Sequence, residues 1–196
     1  CTKASRSGPS WSTEVAREGT PLLAVLIDAD NVLARHAEAI LKEITSFGEP
    51  ALRRVYGDWS SPQLAAWKQT ARDLGLVMHQ QSANTKGKNA SDIGLVIDAM
   101  DILHAGKVDG FVLVSSDSDF TRLASRIRED GLLVIGVGEA KTPESLRKVC
   151  NRFLLIENIV AGDEPVPAPV IGDRPKVERV EGPVVALIKR PAMEAI

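Results

Sequence analysis

The sequence predicts an α/β fold: a doubly wound sandwich in which helices cover both faces of a mainly parallel central sheet. Three observations carry that prediction. Short apolar runs alternate with stretches of helical periodicity from Pro21 to about residue 158. The runs are continuous rather than alternating apolar with polar, as in strands buried on both faces. Glycines close the helical stretches, and strict alternation of the two element types implies crossover connections between parallel strands.

Taken in order, the first strand spans Leu22–Ile27 and runs into Asp28-Ala29-Asp30-Asn31. A helix follows over roughly residues 31–46, with Gly48 beyond its end. The second strand is Leu52–Tyr56; Ser60-Ser61-Pro62 then opens a helix over 61–74, proline being favoured in a first turn, and Gly75 closes it. The third strand, Leu76–His79, leads through a polar loop into a helix over 91–105 ended by Gly106. The fourth, Phe111–Ser115, precedes Ser116-Asp117-Ser118-Asp119 and a helix over 119–130 closed by Gly131. Leu132–Val137 is the fifth strand, Thr142-Pro143-Glu144 opens a helix over 143–151, and Phe153–Ile156 is the last strand. Residues 1–20 read as a disordered leader, 21–158 as the domain, 159–183 as a Pro-rich linker, and 184–196 as a helix-like fragment interrupted by Pro191.

Length and charge narrow the function classes. A chain of 196 residues holds one domain with a real core plus tails. A formal charge of −2 is neither broadly basic nor strongly acidic, so contact with nucleic acid would have to come from a local patch. Cys1 and Cys150 have no spacing suited to a zinc site or a disulfide framework, which fits a reducing cytoplasm. No stretch reaches the roughly 20 apolar residues that span a bilayer, so no membrane is expected as a partner. The chain starts at Cys1 rather than Met, which leaves any preceding targeting segment outside this reading.

The chemistry concentrates where strands end. In doubly wound sheets ligands bind outside the carboxyl ends of the strands, and there the sequence places Asp28 and Asp30 after the first strand and Asp117 and Asp119 after the fourth. Crowded carboxylates repel unless something positive neutralises them, and a hard divalent cation with oxygen ligands, Mg²⁺ or Mn²⁺, is the suitable partner. Asp117 and Asp119 have a blander reading as helix caps, and Asp30 or Asn31 could cap the first helix. Asp92, in the first turn of the third helix, is a further acid at this edge. Asp98 and Asp101 on the same helix lie about 240° and 180° around from it, so one face cannot present all three. Asp98 reads as a buried polar contact and Asp101 as a solvated position. In the loop Ser82–Asn89, Lys86 and Lys88 either bind phosphate as point charges or are simply solvated. Tyr56 and Trp59 either stack a base or pack in the core.

These stretches together resemble an NYN domain, the branch of the PIN-like metal-dependent ribonucleases that includes LabA-like bacterial proteins. The matching segments are Leu26-Ile27-Asp28-Ala29-Asp30-Asn31, the run from Asn89 to Asp101 that contains Asp92, and Val114-Ser115-Ser116-Asp117-Ser118-Asp119-Phe120. The resemblance implies a PIN-like sandwich over residues 21–158 and Mg²⁺ or Mn²⁺ bound by Asp28, Asp92, Asp117 and Asp119, with Asp30 and Asn31 assisting. It implies hydrolysis of RNA phosphodiester bonds, with Lys86 and Lys88 toward the nucleic acid. Related proteins often carry a small OST-HTH RNA-binding module after a linker, and residues 184–196 could begin one. Some relatives have a lysine three residues before the helix aspartate; here Asn89 holds that position and Lys88 precedes it. Homodimerisation stays open.

Two rival readings stand beside this one. An RNA-binding or regulatory scaffold would keep the acids as a vestigial site. The Asp28-x-Asp30 spacing also resembles haloacid-dehalogenase-type phosphatases, whose first aspartate is a phosphorylated nucleophile, although Val32 stands where that family has Thr. The scattered His36, His79 and His104 form no nucleophile arrangement, Ser115-Ser116 is no nucleophile elbow, and Gly136-Val137-Gly138 is no dinucleotide fingerprint.

Overall fold

A computed structural model describes residues 19–80 and 90–163, with side chains from Asp92 to Gly162 in the second segment. Most of the expected leader, the linker beyond Asp163, the fragment 184–196 and the loop lysines Lys86 and Lys88 lie outside the described residues. The elements follow in order as β1 (Leu22–Asp28), α1 (Ala37–Ile44), β2 (Glu49–Gly57), α2 (Ala65–Leu74), β3 (Val77–Gln80), α3 (Ala90–Ala105), β4 (Gly110–Val114), α4 (Thr121–Glu129), β5 (Leu133–Gly138), α5 (Glu144–Val149), β6 (Arg152–Leu155) and α6 (Ile156–Asp163).

The six strands form one sheet in the order β3-β2-β1-β4-β5-β6, and every pairing is parallel. The chain winds outward from β1 to β3, then crosses back to lay β4 against the other side of β1. That reversal opens a crevice between the carboxyl ends of β1 and β4, the position where doubly wound sheets bind ligands. The two acid-ended strands of the sequence are therefore adjacent, with Ile27 in register with Val114.

Alternation along each strand divides the interior into two layers. Leu23, Val25 and Ile27 point with Val112, Val114, Ile135 and Val137 toward α1, α2 and α6, where Ile40, Ile44 and Trp67 are buried against them. Ala24 and Leu26 point with Phe111, Leu113 and Val134 toward α3, α4 and α5, where Leu95, Ala99, Phe120, Ile127 and Leu146 fill the second layer. Each fully buried aliphatic side chain contributes roughly 1.5–3 kcal/mol. Tyr56 is fully buried in the second layer and Trp59 packs against the first, so both serve the core.

Several boundaries differ from the sequence reading. The segment after β1 is a turn rather than helix, because the Asp28 main-chain carbonyl accepts from Asn31 N–H and its side chain from Asp30 N–H; a 3-10 turn at Ala34–His36 then leads into α1. Helix α4 likewise starts after a 3-10 turn, Ser118–Phe120. Strand β2 begins at Glu49: Pro50 pairs with Leu23, and the register then shifts, leaving Ala51 as the extra residue before Leu52 pairs with Ala24. At the far edge Ile156 belongs to α6, not to the last strand, and the helix continues through residues 159–163, where the linker was expected to begin. Helix α2 ends as expected, with Gly75 at φ 63°, a left-handed conformation that glycine adopts without strain.

Candidate metal centre

Three side chains meet at the crevice. Asp92 enters from the first turn of α3, and Asp117 and Asp119 come from the turn after β4; one oxygen from each lies within 4.8 Å of the other two. Oxygens sharing one octahedral Mg²⁺ or Mn²⁺ at about 2.1 Å are roughly 3–4 Å apart, so only a small closure would complete the set. Asp117 and Asp119 are fixed in part by their own turn. The Asp117 side chain accepts the Asp119 N–H at 2.9 Å, and the Asp117 N–H donates to Ser115 Oγ at 3.1 Å. Capping and ligation are therefore compatible for Asp117, which has a second carboxylate oxygen.

Asp28 differs from these three. Its side chain is 1% exposed. Oδ1 accepts from Asp30 N–H at 3.1 Å, while Oδ2 accepts from Asn31 Nδ2 at 2.6 Å and from Ser115 Oγ at 2.9 Å. Asp28 is buried with both oxygens engaged and is not one of the three grouped residues. Asp30 is exposed and touches Asp28 through its backbone, whereas Asn31 acts with its side-chain amide. The sequence reading missed Ser115, whose hydroxyl donates to Asp28 and accepts from Asp117, joining the ends of β1 and β4. Its signal was a small hydroxyl residue directly after an apolar strand.

The electrostatics agree with a site built for a cation. Burial, then the charges of Asp28, Asp117, Asp119 and Asp30, push the Asp92 carboxyl up to about 6. Burial likewise raises Asp28, opposed by the hydrogen bonds from Asn31, Ser115 and Asp30. Mutual repulsion of this kind is relieved when a divalent ion neutralises the group. The donors are all hard oxygens, as Mg²⁺ and Mn²⁺ prefer, so the residues present fit the ion that the sequence suggested.

Asp98 and Asp101 stand apart from this group. Asp98 makes the expected polar contact, with Arg54 and Tyr56, but is partly rather than fully buried, and Asp101 is exposed. Among the described residues, no helix is long and apolar enough to cross a membrane.

The sequence profile described as the NYN domain matches residues 22–157. No curated protein matches the chain significantly. Among solved structures, a protein of unknown function from Vibrio parahaemolyticus RIMD 2210633, VPA0982, superposes with TM-score 0.60 at 21% identity, over 74% of this chain and 98% of that one. This similarity concerns the fold. Acinetobacter baumannii MurG superposes with TM-score 0.44 at 16% identity, over 68% of this chain and 40% of its own, too loosely to bear on the fold.

Proposed function

This chain belongs to the NYN domain family, and from that premise we propose that it is a divalent-metal-dependent ribonuclease acting at the Asp92–Asp117–Asp119 cluster. The observation that carries the proposal is the convergence of those three carboxylates, from two separate parts of the chain, at the one crevice the sheet topology opens. Mg²⁺ or Mn²⁺ there would supply charge to offset the phosphodiester and would lower the pKa of an attacking water.

The protein's own groups do the rest. Asp92, Asp117 and Asp119 would hold the ion. Asp28 supports them: fixed by Asn31 and Ser115, it adds negative potential and, through Ser115, orients the turn that carries Asp117. Lys86 and Lys88, which precede α3 in the sequence, would contribute salt-dependent contacts to the RNA backbone. The phosphatase alternative has less support. A carboxylate that is 1% exposed, with both oxygens engaged, is poorly placed to attack a phosphoryl group.

The test is cleavage of labelled single-stranded RNA with Mg²⁺ or Mn²⁺ against EDTA, with Asp117→Asn purified identically as the control for contaminating nuclease. Metal-dependent cutting that the variant loses is the expected result. An RNA-binding scaffold with a vestigial site would instead bind RNA without cutting it under either metal, and equal cutting by the variant would assign the activity elsewhere.

A further inference from the structure

Helix α3 carries Asp92, yet its apolar pattern does not choose which side faces the sheet. Leu95, Ala99, Ile102 and Leu103 are buried, but the opposite side also holds apolar residues: Ile93 is 62% exposed and Ile97 58%. A helix that is apolar around most of its circumference gains similar burial in several rotations, and packing alone then leaves its register loosely specified. Something polar must distinguish the observed seating from its neighbours.

Asp98 supplies that distinction. It projects from the middle of α3 toward β2 and β3, where Oδ1 accepts from Arg54 Nη1 and Oδ2 from the Tyr56 hydroxyl, with His79 Nδ1 4.0 Å away. These partners are set in the sheet. Tyr56 is fully buried, its ring lies 5.1 Å from that of His79, and Arg54 and Tyr56 both pair with β3. Desolvation of Asp98 is outweighed by the Arg54 and Tyr56 bonds, so its carboxyl stays below the ordinary range and ionised. Removing a partner from such a group leaves a poorly solvated charge unpaired, which makes alternative seatings of the helix unfavourable.

The partner strand leads directly to the acidic centre. Tyr56 is the residue in register with Asp28, and its carbonyl accepts the Ala29 N–H at 2.9 Å. One partly buried carboxylate therefore ties the helix that presents Asp92 to the strand end that stands beside Asp28. We propose that Asp98 is a positioning residue: the Arg54–Asp98–Tyr56 clamp fixes the rotation and axial register of α3, and so places Asp92 against Asp117 and Asp119. A turn of α3 by a single residue, about 100°, would remove Asp92 from the group. The inference uses the metal centre of the proposed function but does not depend on the reaction performed there.

The test measures Mn²⁺ binding to the full chain by calorimetry or by electron paramagnetic resonance of the free ion, well below the melting temperature, with circular dichroism showing that each variant is folded. Asp98→Ala and Tyr56→Phe are each expected to weaken Mn²⁺ by about tenfold or more, the scale of outer groups that orient metal ligands. Asp101→Ala, on the exposed side of the same helix, should bind as the wild type does. RNA affinity in EDTA should stay unchanged in all three. Tyr56→Phe keeps the buried ring and removes only the hydroxyl, so it decides the matter if Asp98→Ala does not fold. Folded variants with wild-type Mn²⁺ affinity would overturn the clamp, as would a wild type that binds no Mn²⁺. A protein that binds Mn²⁺ through the clamp but cuts no RNA would overturn the nuclease reading alone.

Discussion

Asp92→Asn should stabilise the metal-free protein, because the wild-type carboxylate is partly desolvated and held among other negative charges. The Asp92 carboxyl lies at about 6 in the folded chain against an ordinary 3.8. At about 1.36 kcal/mol per pH unit the gap sets a ceiling of about 3 kcal/mol. Asp92 is only partly buried, and solvent screening lowers the expected effect to about 1–1.5 kcal/mol. The sign follows from proton binding. Between 3.8 and about 6 the folded state keeps a proton that the unfolded state has lost, so stability falls as pH rises through that window, and the penalty is complete above it. Asparagine, which cannot ionise, escapes the penalty. Urea unfolding in EDTA should therefore show Asp92→Asn more stable than wild type at pH 7.5, by about 1–1.5 kcal/mol, corresponding to a few degrees in Tm, with the gain largely gone near pH 4. Saturating Mn²⁺ should reverse the order, since it stabilises only the chain that binds it. A variant less stable than wild type in EDTA at pH 7.5, or a gain of equal size at both pH values, would refute the reasoning.

Other consequences can be checked in parallel. Ser115→Ala removes the hydroxyl shared by Asp28 and the Asp117 N–H; denaturation should show a loss of about 1–2 kcal/mol and calorimetry a weaker Mn²⁺ site. Gly138→Ala would bring a methyl within 2.7 Å of Thr142 Oγ1 and 2.8 Å of the Ser115 carbonyl oxygen, so about 1–3 kcal/mol of stability should be lost and Mn²⁺ affinity should fall as the β4 end shifts. On α3, Leu95→Ala should cost about 2–5 kcal/mol in urea unfolding, whereas Ile97→Ala should change stability by no more than about 0.5 kcal/mol; equal costs would contradict the orientation of the helix.

The legibility of the fold varied with how local its causes are. Leu22–Ile27 and Phe111–Val114 are continuous apolar runs, and only a strand covered on both faces accommodates them, so the sheet and its acid-ended strands were readable directly. Helix α6 was not. Leu154, Leu155 and Ile156 read as one apolar run, and the change to helix at Ile156 depends on packing against the α1 layer, which no local residue announces. The early start of β2 at Glu49 was not readable either, because the pairing of Glu49 and Pro50 with Leu22 and Leu23 and the shift at Ala51 depend on the neighbouring strand. At the site, Asp92, Asp117 and Asp119 could be grouped from topology and the family resemblance. Sequence did not show how Asp28 is held, because one of its bonds comes from a hydroxyl 87 residues away. Asp98 could be excluded from the cluster by helical geometry, but its partners Arg54 and Tyr56 lie 44 and 42 residues distant, and nothing in the spacing identifies them.

The most direct test is crystallographic: crystals grown with Mn²⁺ and data collected near the manganese edge, so that anomalous scattering locates the ion. The account predicts a peak bounded by Asp92, Asp117 and Asp119, with Asp28 still bonded to Asn31 and Ser115. A peak elsewhere, or none at that crevice under conditions in which Mn²⁺ supports RNA cleavage, would contradict it.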